Sequence, residues 1–111
     1  MVRQLLAAGW SVLGRNVHVG RAELDLVAVD PGPPPSLVVV EVRWRRRRDY
    51  GLAEETVDHR KRTRIRHAAY ALLGRDGSPH LPLRFDVIVV EPGSSRPGGG
   101  EPLVRHHRAA F

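Results

Sequence analysis

The sequence predicts an α/β fold, a mixed sheet of four to five strands flanked by helices. Three observations carry that prediction. Four runs of apolar, largely β-branched residues have the length and spacing of strands. One long stretch of helical periodicity lies between the third run and the fourth. Clusters of Pro and Gly punctuate the chain between runs. A helix between two strands implies a crossover, and with it a mixed sheet. At 111 residues the chain has the size of one domain, taken as 1–111.

Taken in order, Gln4-Leu5-Leu6-Ala7-Ala8 reads as the end of a helix stopped by Gly9. Trp10 to Leu13 and Val17 to Val19 alternate apolar and polar residues, as a strand does. Glu23 to Val29 is the second strand. It ends at Asp30-Pro31-Gly32, a turn prolonged by Pro33, Pro34 and Pro35, which lack the N–H a ladder needs. Leu37 to Arg43 is the most apolar strand, and a run so rich in valine belongs at the centre of a sheet, covered on both faces. The helix spans roughly 58–74, with Asp58 as N-cap and Gly74 as stop. Its Ile65, Ala68, Ala69, Leu72 and Leu73 form one apolar stripe. Arg84 to Glu91 is the fourth strand. Residues 92–102 are rich in Gly, Ser and Pro and read as a flexible loop; Leu103-Val104-Arg105 is a short closing strand.

Composition narrows the function classes. Without cysteine there is no disulfide framework, thiolate metal site or thiol nucleophile. No apolar run reaches the roughly 18 residues of a membrane span, and Met1 to Gly9 is too short for a secretory signal. A cytoplasmic protein with no membrane partner is expected. Eighteen basic residues against 12 acidic give a net charge of +6, and all but Lys61 of the basic set are arginine. That surplus points to a polyanionic partner, nucleic acid before anionic membrane; a GC-rich genome would produce the same arginine bias.

One constellation has the makings of chemistry. Side chains on a strand alternate faces, so Glu23 and Asp25 are expected on one face of theirs. Leu37, Val39, Glu41 and Arg43 share one face of the next strand, and Val38, Val40 and Val42 the other. Glu41 is an acid inside a strand that is otherwise almost all valine, a costly position unless the charge is paired or bound to a metal. If the two strands are neighbours, Asp25 and Glu41 converge. Two carboxylates suit a hard cation such as Mg²⁺, with Mn²⁺ as the alternative. Such a cation neutralises charge on a phosphate and acidifies water. Arg43, two residues after Glu41, points to the same side and is placed to meet transition-state charge. The structural reading of the same residues is an ion pair between Arg43 and Glu41 or Asp25.

Glu23-Leu24-Asp25-Leu26-Val27-Ala28 followed by Val39-Val40-Glu41-Val42-Arg43 resembles the bipartite motif of the PD-(D/E)XK nuclease superfamily. More narrowly, the chain resembles the YraN family of bacterial proteins. Gly9-Trp10, Leu13 and Arg15-Asn16 are similar to that family's GY.IL.RN segment, and Tyr50-Gly51 with Glu54-Glu55-Thr56-Val57 to its FG…EAV. Lys61, Ile65, Ala68, Ala69 and Tyr70 fit its next helix, Arg84-Phe85-Asp86-Val87 its RFDVV strand, and Ala110-Phe111 its usual ending. The resemblance implies a restriction-endonuclease-like fold, related to Holliday-junction resolvases. It carries Asp25 and Glu41 over as metal ligands, Arg43 to the position of the superfamily lysine, and Glu23 to the Glu of GEIDL as hydrogen-bonding support. The implied activity is metal-dependent hydrolysis of phosphodiester bonds in DNA.

Three departures from the family pattern bear on that activity. Arg43 stands where the family has Lys, and a guanidinium stays protonated. Ala22 replaces the usual Gly and Trp44 a frequent Thr. The family's first helix begins earlier, and its acid would precede Met1, so the N-terminal helix is expected to be truncated. These departures favour the alternative, a catalytically impaired nucleic-acid-binding module on the same fold.

Arg45, Arg46, Arg47 and Arg48 follow the carboxylates directly and are expected to grip phosphates. Trp44 and Tyr50 flank them and are placed to stack on a base, or, for Trp44, to tuck into the core. Lys61 and the arginines of the helix extend the footprint or form a plain solvated face. The assembly is left open between monomer and homodimer. The histidines show no metal spacing. Asp86 reads as an extra acid or as a buried hydrogen-bond acceptor.

Overall fold

The computed structural model describes residues 2–44, 59–75, 77, 80–91 and 103–111. Arg45 to Arg48, Tyr50, the Asp58 cap and the 92–102 loop lie outside the described residues. The element order is α1 (Val2–Ala7), β1 (Ser11–Val19), β2 (Ala22–Asp30), β3 (Ser36–Trp44), α2 (His59–Leu73), β4 (Leu83–Glu91) and β5 (Leu103–His107). The strands form one sheet in the order β1-β2-β3-β4-β5. Neighbours are antiparallel except β3 and β4, which run parallel with α2 in the crossover between them. The expected α/β mixed sheet is thus present with its closing strand. No described helix is long and apolar enough to cross a membrane.

Helix α1 stops where glycine permits. Gly9 adopts φ +89°, and the N–H groups of Gly9 and Trp10 donate to the carbonyls of Leu6 and Leu5. That pairing closes the helix end and drops Trp10 beside Leu5, both buried in one cluster. The strand that follows gains one residue against β2: Val12 faces Ala28 and Gly14 faces Val27, so Leu13 bulges outward and is exposed.

Strand β3 is central, and Leu37, Val38, Val39 and Val40 are all buried. Its side chains divide as their spacing requires. Val38 and Val40 join Leu5, Trp10, Leu26, Ala28, Ile88 and Val90 on the α1 face. Leu37 and Val39 join Leu24, Val27 and Phe85 beneath Ile65, Ala68 and Ala69 of α2. The two alanines let the helix backbone approach the sheet closely, and each fully buried Val or Leu contributes roughly 1.5–3 kcal/mol.

One polar network lies inside the α1 face. Asp86 has no exposed surface. It accepts hydrogen bonds from Arg84 Nε and Nη2 at 2.9 Å each and from the Ala109 N–H at 3.0 Å, and it lies 2.7 Å from His106 Nε2. Arg84 Nη1 reaches on to Asp30 Oδ2 at 2.9 Å, and the other Asp30 oxygen accepts the Gly32 N–H of the β2–β3 turn. Arg84 also lies over the Trp10 ring, 5.5 Å from its centroid, and His106 meets that ring edge-on at 5.4 Å. Of the two sequence readings of Asp86, the buried acceptor is the one observed. Burial pushes its pKa up, but the bonds from His106, Arg84 and Ala109 outweigh burial and lower it to about 2.

Asp86→Ala leaves Arg84 and His106 without their shared acceptor and is expected to cost about 3–5 kcal/mol in urea unfolding. Because the folded pKa lies below the ordinary 3.8, Asp86 contributes in full above pH ~4 and its contribution fades as the pH falls toward 2. Stability of the native chain should therefore drop through that window, and Asp86→Asn should flatten the drop; an unchanged acid profile in the variant would contradict this assignment.

Candidate functional site

The second polar centre lies on the opposite face of the sheet, one register position from Asp86: Val40 faces Asp86 and Glu41 faces Val87. It arises where the β2–β3 ladder stops. The two strands pair from Asp30↔Ser36 to Leu26↔Val40 and no further. At the next position the Asp25 side chain takes over: its Oδ2 accepts the Val42 N–H at 2.8 Å, a donor that a continuing ladder would have used. Face alternation in β2 breaks at the same residue. Leu24 packs with the α2 cluster, whereas Leu26 and Ala28 pack with the α1 cluster. Strand β1 also departs from regularity there. Asn16, between the pairs Arg15↔Leu26 and Val17↔Leu24, takes φ +49°, a left-handed conformation that asparagine tolerates better than most residues.

This break overturns one expectation. Glu23 and Asp25 do not share an undisturbed strand face, because the alternation that would align them fails at Asp25. Glu23 is exposed and pairs across the sheet with His18. Among the described residues no polar contact joins it to Asp25 or Glu41.

Asp25 and Glu41 do converge, as expected. Glu41 is only 5% exposed. Burial, and then the charge and hydrogen bonding of the Asp25 carboxylate, raise its pKa above that of an ordinary glutamate; the Lys61 ammonium opposes the rise without cancelling it. Two carboxylates held together on neighbouring apolar strands thus favour a proton, or any other cation, between them.

The cation nearest Glu41 differs from the one expected. Arg43 shares the predicted face, with its Nε 3.8 Å from Glu41 Oε1, an ion-pair distance too long for a hydrogen bond. Lys61, from the first turn of α2, makes direct contact with that same oxygen. The sequence placed Lys61 on a nucleic-acid face. Its being the only lysine beside 17 arginines was the available signal of a distinct role.

Around this centre lies a cationic surface. His59, Arg60, Thr63 and Arg64 line a shallow concavity of about 470 Å³ at the start of α2. The helix arginines divide. Arg60, Arg64 and Arg66 are exposed and Arg62 is half-buried; Arg62 lies over the Phe111 ring at 5.7 Å and Arg66 over Phe85 at 5.9 Å. Two of the four thus also cover an aromatic ring, and three of the four reach solvent. Trp44, at the end of β3, is 71% exposed, so of its two readings the core one does not hold.

The donor set suits a hard divalent cation. It offers carboxylate oxygens only, and among the described residues no group of three or more His, Asp or Glu side chains assembles. Mg²⁺ binds in this way, through one or two carboxylates with its remaining positions left to water and substrate oxygens.

The chain matches the family described as Uncharacterised protein family UPF0102 over residues 1–90. A UPF0102 protein of Symbiobacterium thermophilum is 45% identical over 89 residues, covering 80% of this chain and 73% of that one. Another from Alcanivorax borkumensis is 40% identical over 93 residues, covering 83% and 72%. A third, from Frankia casuarinae, is 41% identical over 109 residues, covering 98% and 86%. By this match over most of its length and by these relatives, the chain belongs to UPF0102, the YraN family.

Proposed function

We propose that the protein is a metal-dependent nuclease, or a nuclease-like protein, acting on phosphodiester bonds in DNA, with a restriction-endonuclease-like arrangement of its sheet. The observation that carries this reading is the Asp25–Glu41 pair: a buried glutamate of raised proton affinity, facing an aspartate where the strand ladder opens. A structural ion pair would relieve such a carboxylate; here the relief is incomplete, and perturbed acids of this kind concentrate at functional sites.

Asp25 and Glu41 would hold Mg²⁺ or Mn²⁺. When bound, the metal supplies Lewis acidity and neutralises charge on the phosphodiester. The residues around it bind and orient. Arg43, a cation at any physiological pH, stabilises negative charge on the phosphate but takes up no proton from water. Arg60, Arg64 and His59 meet the phosphate backbone on either side of the target. Trp44 offers an exposed ring on which a base can stack. Arg45 to Arg48, next in sequence, add a sequence-independent grip.

Asp25→Ala should abolish Mg²⁺-dependent cleavage of labelled branched DNA while leaving the circular-dichroism spectrum of the fold intact. Cleavage that persists in the variant, or that needs no metal, would sink the nuclease reading.

A second reading is a nucleic-acid-binding module without catalysis. It is favoured by Arg43, which cannot serve as a base, and by Glu41 already carrying an ammonium partner. It predicts salt-dependent binding with no cleavage under any divalent metal. In both readings, replacing Arg45, Arg46, Arg47 and Arg48 together by Ala should weaken DNA binding by on the order of tenfold or more at low salt and make the salt dependence shallower. Unchanged affinity in a fluorescence-anisotropy titration would remove that run from the interface.

A further inference from the structure

Among the described residues, Lys61 is the one basic side chain that both touches a buried carboxylate and stands in the cationic row of α2. Its ammonium contacts Glu41 Oε1, and its side chain is 38% exposed against 5% for Glu41. One end of the contact is thus fixed in the sheet, and the other opens to solvent. On the helix Lys61 adjoins Arg60 and lies three residues before Arg64, a spacing that puts side chains side by side. Arg60 and Arg64 line the concavity at the start of α2. A lysine has four flexible carbons and a compact charge, and can swing between two partners; the planar fork of an arginine is harder to reseat.

We propose that Lys61 is an exchangeable counter-ion. In the metal-free protein its ammonium occupies the Glu41 oxygen that a divalent cation needs. The cation displaces it, and the displaced ammonium joins Arg60 and Arg64 at the phosphate backbone. Metal and nucleic acid then bind cooperatively, because each favours the arrangement the other requires. This inference rests on the reading of Asp25 and Glu41 as metal ligands and adds to it a coupling between that site and the basic face of α2.

The exchange balances in charge and partners. Before it, Glu41 is matched by one ammonium. After it, Glu41 and Asp25 are matched by the dication, and the ammonium is matched by phosphate. Without phosphate, the displaced ammonium is left to water, so metal alone should bind weakly. With phosphate, both cations are neutralised, and binding of either ligand should tighten.

The test is a Mn²⁺ titration followed by electron paramagnetic resonance at one fixed pH, on the full chain and on Lys61→Met, Lys61→Arg and Glu41→Gln. Lys61→Met should bind Mn²⁺ about tenfold more tightly than the native chain, Lys61→Arg should not gain, and Glu41→Gln should lose binding. In parallel, duplex DNA affinity of the native chain should rise about fivefold when Ca²⁺ is added, and Lys61→Met should lose most of that rise. If the native chain binds Mn²⁺, Glu41→Gln abolishes it, and Lys61→Met is unchanged or weaker, the exchange is overturned while the metal site stands. If the native chain binds no Mn²⁺, the metal site falls and the exchange with it. Thermal unfolding of each variant separates misfolding from lost coupling, and should Lys61→Met fail to fold, Lys61→Gln removes the same charge for the same comparison.

Discussion

The structure turns on Asp86. A fully buried carboxylate in the middle of a β-strand is tolerated only if its lone pairs are filled, and here they are filled from three directions. Arg84 comes from its own strand, His106 from β5, and the Ala109 N–H from the segment that follows β5. Through Arg84 the network reaches Asp30 and so the turn between β2 and β3. Trp10, which ends α1, packs against both Arg84 and His106. Residues far apart in sequence are thereby held to one carboxylate, and the orientation of the sheet's outer elements follows from its geometry. The pKa near 2 expresses the same fact in another currency: the folded protein holds Asp86 ionised with energy to spare.

Glu41 is the contrasting case. Both acids lie in central strands and both are almost without exposed surface. Asp86 has an arginine fork and a backbone N–H, and its pKa falls. Glu41 has the Lys61 contact, a longer ion pair to Arg43 and a second carboxylate beside it, and its pKa rises. The difference lies in the neighbours: burial and the Asp25 carboxylate outweigh the Lys61 ammonium at Glu41, whereas hydrogen-bond donors outweigh burial at Asp86. The two centres occupy opposite faces of the sheet.

Much of this was legible in the sequence, for physical reasons that can be named. The valines of β3 specify a central strand because few other environments bury so many β-branched residues in succession, and period-two alternation then assigns Glu41 and Arg43 to one face. The stripe Ile65, Ala68, Ala69 specifies the buried side of α2 in the same way. Gly9 as a helix stop follows from the one conformation it alone adopts cheaply. The break at Asp25 was not legible. Alternation is a rule for a strand that stays in its ladder, and it predicted Glu23 and Asp25 on one face; the ladder ends at Leu26, and the side chain of Asp25 replaces a backbone partner. Nothing in the local sequence distinguishes an aspartate that faces solvent from one that caps a strand edge seventeen residues away. Nor could periodicity separate Arg62 and Arg66, whose guanidinia cover aromatic rings, from Arg60 and Arg64, which do not. That difference is set by where Phe85 and Phe111 come to rest.

The contrast between Arg43 and Lys61 follows from shape more than from charge. A guanidinium binds a carboxylate best when two of its N–H groups face two oxygens in one plane. At Glu41 the Asp25 carboxylate lies beside the acid, and Arg43 Nε stands 3.8 Å from Oε1. An ammonium needs only one oxygen and a narrow path. Lys61, in the first turn of α2, makes that contact with Glu41 Oε1. The position two residues after the acid therefore supplies a standing positive potential, while the helix supplies the cation that makes contact. In a chain where every other basic residue is arginine, the single side chain that fits end-on beside a buried carboxylate is the lysine, and it comes from an element that the strand motif does not contain.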